Sequence, residues 1–591
     1  MDVPVAPSSL NARAHAPVSH LPAEVLVRVF AYARLFEPPG PPRHYPFYQP
    51  GCIGWVKVSH VCRGWRHVAL GAAHLWENVD FTMKEEWAQA FLARSQNAPI
   101  VLTFGPRPHV FTDLHVKLIA MHISHTRELF IGCQETTVVR SQLFNRLTTP
   151  APILESIYCM LADDPPVPLP EDLLAQDAPR LSCVTFANCG TLPWTSRLFT
   201  NLTTLIAPRP RGLTSSAPEY VPPNLFDVLD ALERMPTLCD LTLFADAVVR
   251  PADLPFPHGH SVVHLPNLEM FSVESNNLPD MTALLRYLCL PPKVHVDISM
   301  QGGGESSLDP LDEFFSVLGG LLRGCAPITK LCVSDGQKFM GFYEFTAFRD
   351  EPDEWKRMPH VESLSLRMWV DVWPEAVVMA FCSALQKDAL RTLDMYLFQG
   401  WTGHGWFDAF GEFDALREIT AKSDAAISLF RTLAASDGFA QSWLAERQSR
   451  RGPGGAAVPF PQLESVTAYQ VNFRKCPSHD RVFCWKDLVR RARRSVAAVS
   501  HTLLRRDVEG DAGDLYPNHI NVAKWLKTRQ QGSAPLRTLL LDHCTLPSNG
   551  LKREFGGLVP QYDTEQCIVA HTWPSTLIKR VARRLHLSTR R

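Results

Sequence analysis

Nowhere in this chain do apolar residues run for about 18 positions without a charge, the length that a bilayer-crossing helix requires. No membrane span is therefore expected. The opening stretch "MDVPVAPSSLNARAHAPVSH" lacks a charged segment followed by an apolar core, so no secretory signal is expected either. An excess of one charge is also missing: 59 Lys and Arg face 60 Asp and Glu, for a net charge of −1. That balance argues against a chain-wide role on nucleic acid or on a membrane surface. The 15 cysteines form no C-x-x-C pair and follow no regular spacing. In 591 residues they read as reduced intracellular thiols, which places the protein in the cytoplasm, the nucleus or both.

The signatures of common chemistry are absent as well. There is no G-x-S-x-G elbow, no phosphate-cradling G-x-x-x-x-G-K-[ST], no G-x-G-x-x-G and no H-E-x-x-H. Gly302–Gly304 lack the following helix and lysine that phosphate binding needs. The nearest approach to a metal motif is "CPSHDRVFC", with Cys476, His479, Asp480 and Cys484. Four ligands packed so closely match no zinc knuckle, and no second cluster accompanies them. The expectation is a protein without catalytic residues, metal or cofactor.

What is present is an ordered, foldable composition, 46% hydrophobic and 20% charged. The length exceeds the ~250–300 residues at which one compact core stops growing, so several cores or one extended array must form. Residues 1–18 are rich in Pro, Ala and Ser and are expected to be disordered. "LPAEVLVRVFAYA" then reads as a helix, with Pro22 in its first turn and Val25, Leu26, Val29 and Phe30 on one apolar face. The prolines of "FEPPGPPRHYPFYQPG" enforce a loop. In "WVKVSHVCRGWRHVALGAAHLWENV", Val58, Val61, Cys62, Trp65, Val68 and Ala69 recur with helical period, which predicts a second helix. Cys62 lies inside that stripe and reads as a small buried hydrophobe rather than a reactive thiol. "KEEWAQAFLARS" predicts a further helix carrying Trp87, Phe91 and Leu92, and "APIVLTF" a strand.

Beyond these elements a degenerate repeat governs the chain, often Pro, one residue, then Leu-x-x-Leu-x-hydrophobic. It recurs as "APILESIYC", "APRLSCVTF", "MPTLCDLTL", "LPNLEMFSV", "APITKLCVS", "MPHVESLSL", "ALRTLDM", "FPQLESVTA" and "PLRTLLLD", with "FTNLTTLIA" a looser copy. Its leading residues are Leu154, Leu181, Leu202, Leu238, Leu268, Ile328, Val361, Leu390, Leu463 and Leu536. Helical runs precede several copies: "NLFDVLDALERM", "LDEFFSVLGGLLRG" and "PEAVVMAFCSALQ". A short strand plus a helix at ~20–35 residues per unit predicts an irregular leucine-rich-repeat-like solenoid of parallel strands and helices, an α/β fold. The long gaps after Leu268 and Leu463 imply insertions or a degenerate unit such as "KVHVDISM". Four Pro- or Gly-rich insertions read either as functional loops or as plain connectors. Two basic helical runs, "KDLVRRARRSVAAVSHTLLRR" and "LIKRVARRLHLSTRR", read as solvated faces or as patches for an anionic partner.

The N-terminal residues carry a further signal. Leu21, Pro22 and Glu24, followed by Val61, Cys62, Arg63, Trp65, Arg66, Ala69 and the Leu75–Trp76 pair, resemble the F-box module of fungal F-box proteins. "FLARSQNAPIVLTF" is similar to that family's next segment. The resemblance implies a three-helix F-box over residues 19–82, a connecting helix and first strands over 83–125, and the repeat domain over 126–591. It also implies a substrate receptor that docks on the Skp-type adaptor of an SCF-class cullin–RING ubiquitin ligase while the repeats hold an unknown target protein. The implied adaptor-binding residues are Leu21, Pro22, Val25, Leu26, Val29, Phe30, Val58, Val61, Cys62 and Trp65. The competing reading is a repeat-based interaction scaffold whose helical module merely caps the array.

Overall fold

The computed structural model describes residues 21–40, 52–83, 85–105, 112–133, 143–161, 169–187, 192–207, 224–244, 261–300, 309–335, 342–349, 363–369, 374–397, 403–433 and 460–469. It also describes short runs near residues 525–530, 536–546 and 559–569, and isolated positions between. Residues 1–18, Val361, the "CPSHDRVFC" motif, the basic run within 486–506 and the one within 577–591 lie outside the described residues, as do most of the four insertions. The chain forms two compact units, residues 1–294 and 295–591.

The first unit opens with helices. α1, Ala23–Phe36, starts after Pro22, whose carbonyl accepts from the Val25 and Leu26 N–H groups at 3.1 Å. Proline thus stands just outside the helix, one place before the first turn where the sequence put it. The predicted second helix is broken. Gly54–His60 is a 3-10 helix, the chain then extends at Cys62, and only Arg63–Gly71 (α2) is α-helical. Cys62 is exposed, a correction to its expected burial. Its thiol caps α2 by accepting from the Trp65 N–H at 3.4 Å, the place that Ser or Thr usually takes. α3, Glu85–Ser95, follows, with Glu85 and Glu86 in its first turn and Arg94 in its last, complementing the helix dipole. α4, Asp113–His122, starts at Thr112, whose N–H reaches His115 Nδ1 at 3.0 Å.

The strands of this unit are β1 (Asn78–Asp80), β2 (Ile100–Phe104), β3 (Thr126–Cys133), β4 (Ser156–Leu161), β5 (Cys183–Ala187), β6 (Thr204–Ala207), β7 (Asp240–Phe244), a two-residue β8 (Val263–His264), β9 (Met270–Ser275) and a two-residue β10 (Leu288–Cys289). β1 through β7 and then β9 pair in chain order, all parallel. β8 pairs with β10 in a separate parallel ladder.

The repeat motif has a local cause. Its proline occupies the second position of a turn, where a fixed φ is already suitable. The leading leucine donates its N–H to the carbonyl of the residue before the proline: Leu154 to Ala151 at 3.2 Å, Leu181 to Ala178 at 3.0 Å and Leu238 to Met235 at 3.2 Å. The next residue then bonds to the preceding repeat. Glu155, Ser182, Thr203, Cys239 and Glu269 donate in succession to Arg127, Glu155, Ser182, Thr203 and Cys239 at 2.7–2.9 Å. Leu154, Leu181, Leu202, Leu238 and Leu268 are all buried beneath these turns.

The second unit contains β11 (His295–Met300), β12 (Lys330–Asp335), β13 (Phe342–Phe348), β14 (Leu364–Trp369), β15 (Thr392–Tyr396), β16 (Glu418–Lys422), β17 (Ser465–Tyr469), β18 (Thr538–Asp542), a two-residue β19 (Thr545–Leu546) and β20 (Gln561–Asp563). The strand "HVDISM" in β11 fills part of the first long gap in the repeat. Pairing runs β11–β14–β13–β12–β15–β16–β17–β18–β20. This corrects the all-parallel expectation: β13 is antiparallel to both of its neighbours, and β14 stands out of chain order. Only six residues separate β12 from β13, too few for the crossover that a parallel pair needs. The alternation in "FYEFTAF" turns Tyr343, Phe345 and Ala347 into the core. Phe345 meets Phe381 of the helix Pro374–Ser383 at 4.5 Å in a tilted pair, and Phe381 meets Phe315 of the helix Asp309–Arg323 in turn. The inter-repeat ladder persists, with Arg391, Arg417, Glu464 and Arg537 donating in succession to Thr329, Arg391, Arg417 and Glu464. Arg529, which the sequence did not mark, is buried and donates to the Phe460 and Leu463 carbonyls at 3.2 and 2.8 Å. Burial pushes its guanidinium down to about 10.

Candidate protein-docking site

The N-terminal helices are held by an aromatic core. Phe30 of α1 meets Trp65 of α2 at 5.1 Å. Trp55 meets Trp76 at 4.9 Å, and Trp76 meets the edge of Phe91 on α3 at 4.8 Å. The Trp76 indole donates to the Ala69 carbonyl at 2.8 Å, so its polar end is satisfied where the ring is fully buried. Arg34 ties α1 to the turn around Trp76, with an ion pair to Glu77 at 2.7 Å and a bond to the His74 carbonyl at 2.8 Å.

Below the core, β1 carries the helical module straight into the sheet. Val101 donates to Glu77 and Phe81 to Thr103, at 2.9 and 2.8 Å. The Phe81 ring stacks on Phe104 at 4.3 Å. On α3, Phe91 and Leu92 are buried, while Trp87 is half-buried.

The proline-rich spacer is closed at its base rather than open. Gly40 and Cys52 exchange backbone bonds at 3.1 and 3.0 Å, and Trp55 donates to the Glu37 carbonyl at 2.7 Å. Lys57 pairs with Glu37 alongside. These contacts tie the end of α1 to the 3-10 helix Gly54–His60.

The ten residues singled out from the sequence divide into two sets. Leu26, Phe30 and Val58 are core. Trp65 is half-buried against Phe30. Leu21, Pro22, Val25, Val29, Val61 and Cys62 face outward, with Val25 and Val29 at 41% and 45% exposure and Val61 at 59%. Val25 and Val29 are one turn apart along α1, and Leu21 precedes its first turn. Tyr32 and Phe36, at 67% and 83% exposure, continue the same line at helical spacing. The sequence reading stopped short of these two, although the i+3/i+4 register extends to them before Pro38. Leu35 and Ile53 add to the exposed apolar area nearby. α1 is therefore apolar on two faces, one spent on the core and one presented outward. A contiguous exposed apolar band of this kind marks an interaction surface.

Among the described residues no helix is long and apolar enough to cross a membrane, and no group of three or more His, Cys, Asp or Glu is placed to hold a metal ion.

Residues 18–82 match the family model described as F-box-like, and this domain supports an F-box protein. No curated protein matches the chain. F-box domains generally bind Skp-type adaptors, and an F-box-like domain suggests a role as a ubiquitin-ligase adaptor in general.

Proposed function

We propose that the chain is a non-catalytic substrate receptor of an SCF-type ubiquitin ligase, working in the cytoplasm, the nucleus or both. The observation that carries this reading is the exposed band Leu21–Val25–Val29–Tyr32, with Val61 beside it, inside the segment that matches an F-box-like domain. The outward residues are the adaptor anchors, while Leu26, Phe30, Val58 and Trp65 hold them in place from behind. Apolar and aromatic groups desolvated at the centre of an interface supply most of its affinity. The repeats with their turn ladder form an irregular leucine-rich-repeat-like solenoid that holds a target protein. The direct strand connection through β1 supports a stiff linkage between the docking module and that array.

The test is capture of a Skp-type adaptor by the full chain and by Val25→Glu and Val29→Glu. Both positions are exposed, so each variant keeps the fold. Capture by the natural chain and loss of at least about tenfold in affinity in each variant is the expected result. Equal capture by all three would remove the band from the interface. No capture by the natural chain would leave a repeat-based scaffold without a ligase role.

A further inference from the structure

The strands of the first unit present one outward face whose charge is uneven. Their parallel register keeps alternate residues on one side. Leu129, Ile157 and Leu241 are buried, while Phe130, Tyr158 and Thr242 next to them are only half-buried. Phe130 of β3 and Tyr158 of β4 are register partners with ring centroids 6.0 Å apart. The exposed Met160 follows on the same side of β4. The face thus has an apolar, aromatic centre.

Its charges are nearly all negative. β1 to β7 and β9 carry Asp80, Glu128, Asp240 and Glu274, against Arg127 as their only Lys or Arg. Arg127 sits at the register shift between β2 and β3 and pairs with Oε1 of Glu128 at 3.3 Å. Asp80 and Asp240 make no ion pair among the described residues. Burial pushes the Asp240 carboxyl up, as expected of a half-buried acid with no cation beside it. The second unit differs. There Lys330 pairs with Asp394 at 2.9 Å and Arg367 with Asp297 at 2.8 Å, so neighbouring strands neutralise each other.

Glu128 and Asp240 belong to one cross-strand row, linked through Ser156, Cys183 and Thr204. Four strand spacings separate them, about 19 Å, which about six steps of extended chain span. Phe130 and Tyr158 lie two residues further along their strands, beside the Glu128 end of the row. We propose that this face docks a basic, extended segment of the target protein, with an apolar side chain on Phe130, Tyr158 and Met160 and cations at Glu128 and Asp240. Opposite potentials steer such a segment and fix its register, while the aromatic pair supplies affinity as it is desolvated. The same negative charge repels the phosphates of a nucleic acid. This inference deepens the reading that the repeats hold a target, and it rests on that part of the reading and not on adaptor docking.

The test uses the full chain and a fluorescently labelled peptide, Arg-Ser-Leu-Ser-Gly-Ser-Arg, whose Arg and Leu side chains share one side when extended. A peptide with Glu in place of both Arg is the control. Anisotropy at low ionic strength should show binding of the basic peptide only. Asp240→Asn and Met160→Gln should each weaken it about fivefold. Neither side chain belongs to the core, so both variants keep the fold. Replacing the last Arg of the peptide by Gln should make Asp240→Asn silent, as a direct pair requires. Val29→Glu, on α1, should bind the peptide as the natural chain does. No binding by the natural chain, equal binding of the Glu peptide, or unaltered binding by Asp240→Asn and Met160→Gln overturns the docking face. Capture of a Skp-type adaptor by the same samples separates the two readings. A chain that captures adaptor but not peptide loses this face alone, and one that captures peptide but not adaptor keeps the face and loses the ligase role.

Discussion

Gly54 has a φ of +52°, and a Cβ placed there would come within 2.3 Å of the Glu37 carbonyl oxygen. That same carbonyl accepts the Trp55 N–H that fixes the spacer against the aromatic core. Gly54→Ala should therefore cost at least about 2 kcal/mol of local stability, through left-handed strain plus a backbone clash. Hydrogen exchange over residues 52–76 measures it, and unchanged protection would contradict the account of the closure. His122 and His125 make a second residue-scale prediction. Their rings meet with Nδ1 and Nε2 3.2 Å apart, and Thr126 Oγ1 donates to the His122 carbonyl beside them. Burial holds both imidazoles below the ordinary 6.5, and the charge of His125 adds to the effect on His122. A base with a depressed folded value takes up fewer protons than the unfolded chain just below 6.5, so folding loses stability as pH falls through that window. His122→Gln should flatten this acid-side decline at the junction of α4 and β3, as read by exchange at residues 113–131. A decline of the same slope in the variant would sink the assignment. Cys62 marks the limit of reading single residues. Over so short a stretch, the periods of a 3-10 and an α-helix hardly differ, so an apolar stripe cannot reveal the break between them.

At the scale of elements, the turn that opens each repeat was legible because proline and leucine have separate physical duties. The first presets the turn, and the second fills the core beneath it. Leu241 of β7 and Leu364 of β14 are fully buried, so Leu→Ala at either should cost about 2–5 kcal/mol through lost burial and a residual cavity. Denaturant titration checks this, and a loss below about 1 kcal/mol would show that the sites collapse or were never packed. Neither change should alter capture of a Skp-type adaptor. Among the strands that escaped the sequence reading, two did so for different reasons. "ALREITAK", which forms β16, lacks the proline, yet Leu416 makes the same turn to Phe413 at 3.2 Å. "FYEFTAF" shows plain alternation but no Leu-x-x-Leu frame, so the repeat template passed over it. The placement of β14 between β11 and β13 was not legible at all. Alternation assigns the faces of a strand but does not name its neighbours.

For the whole molecule, the central claim is that the outward face of α1, continued by Val61, is where the chain meets its adaptor. The sequence marked α1 and its apolar positions as the docking candidates, but it could not divide them between core and surface, because α1 uses valine and leucine for both. Only packing separates Phe30, closed against Trp65, from Val29, one residue away and open to solvent. Hydrogen exchange of the full chain with and without a Skp-type adaptor tests this claim most directly. The account predicts slowed exchange over residues 21–36 and around Val61, with the strands from β3 to β9 unchanged. Adaptor binding that leaves residues 21–36 unprotected, or protects the sheet instead, would contradict it.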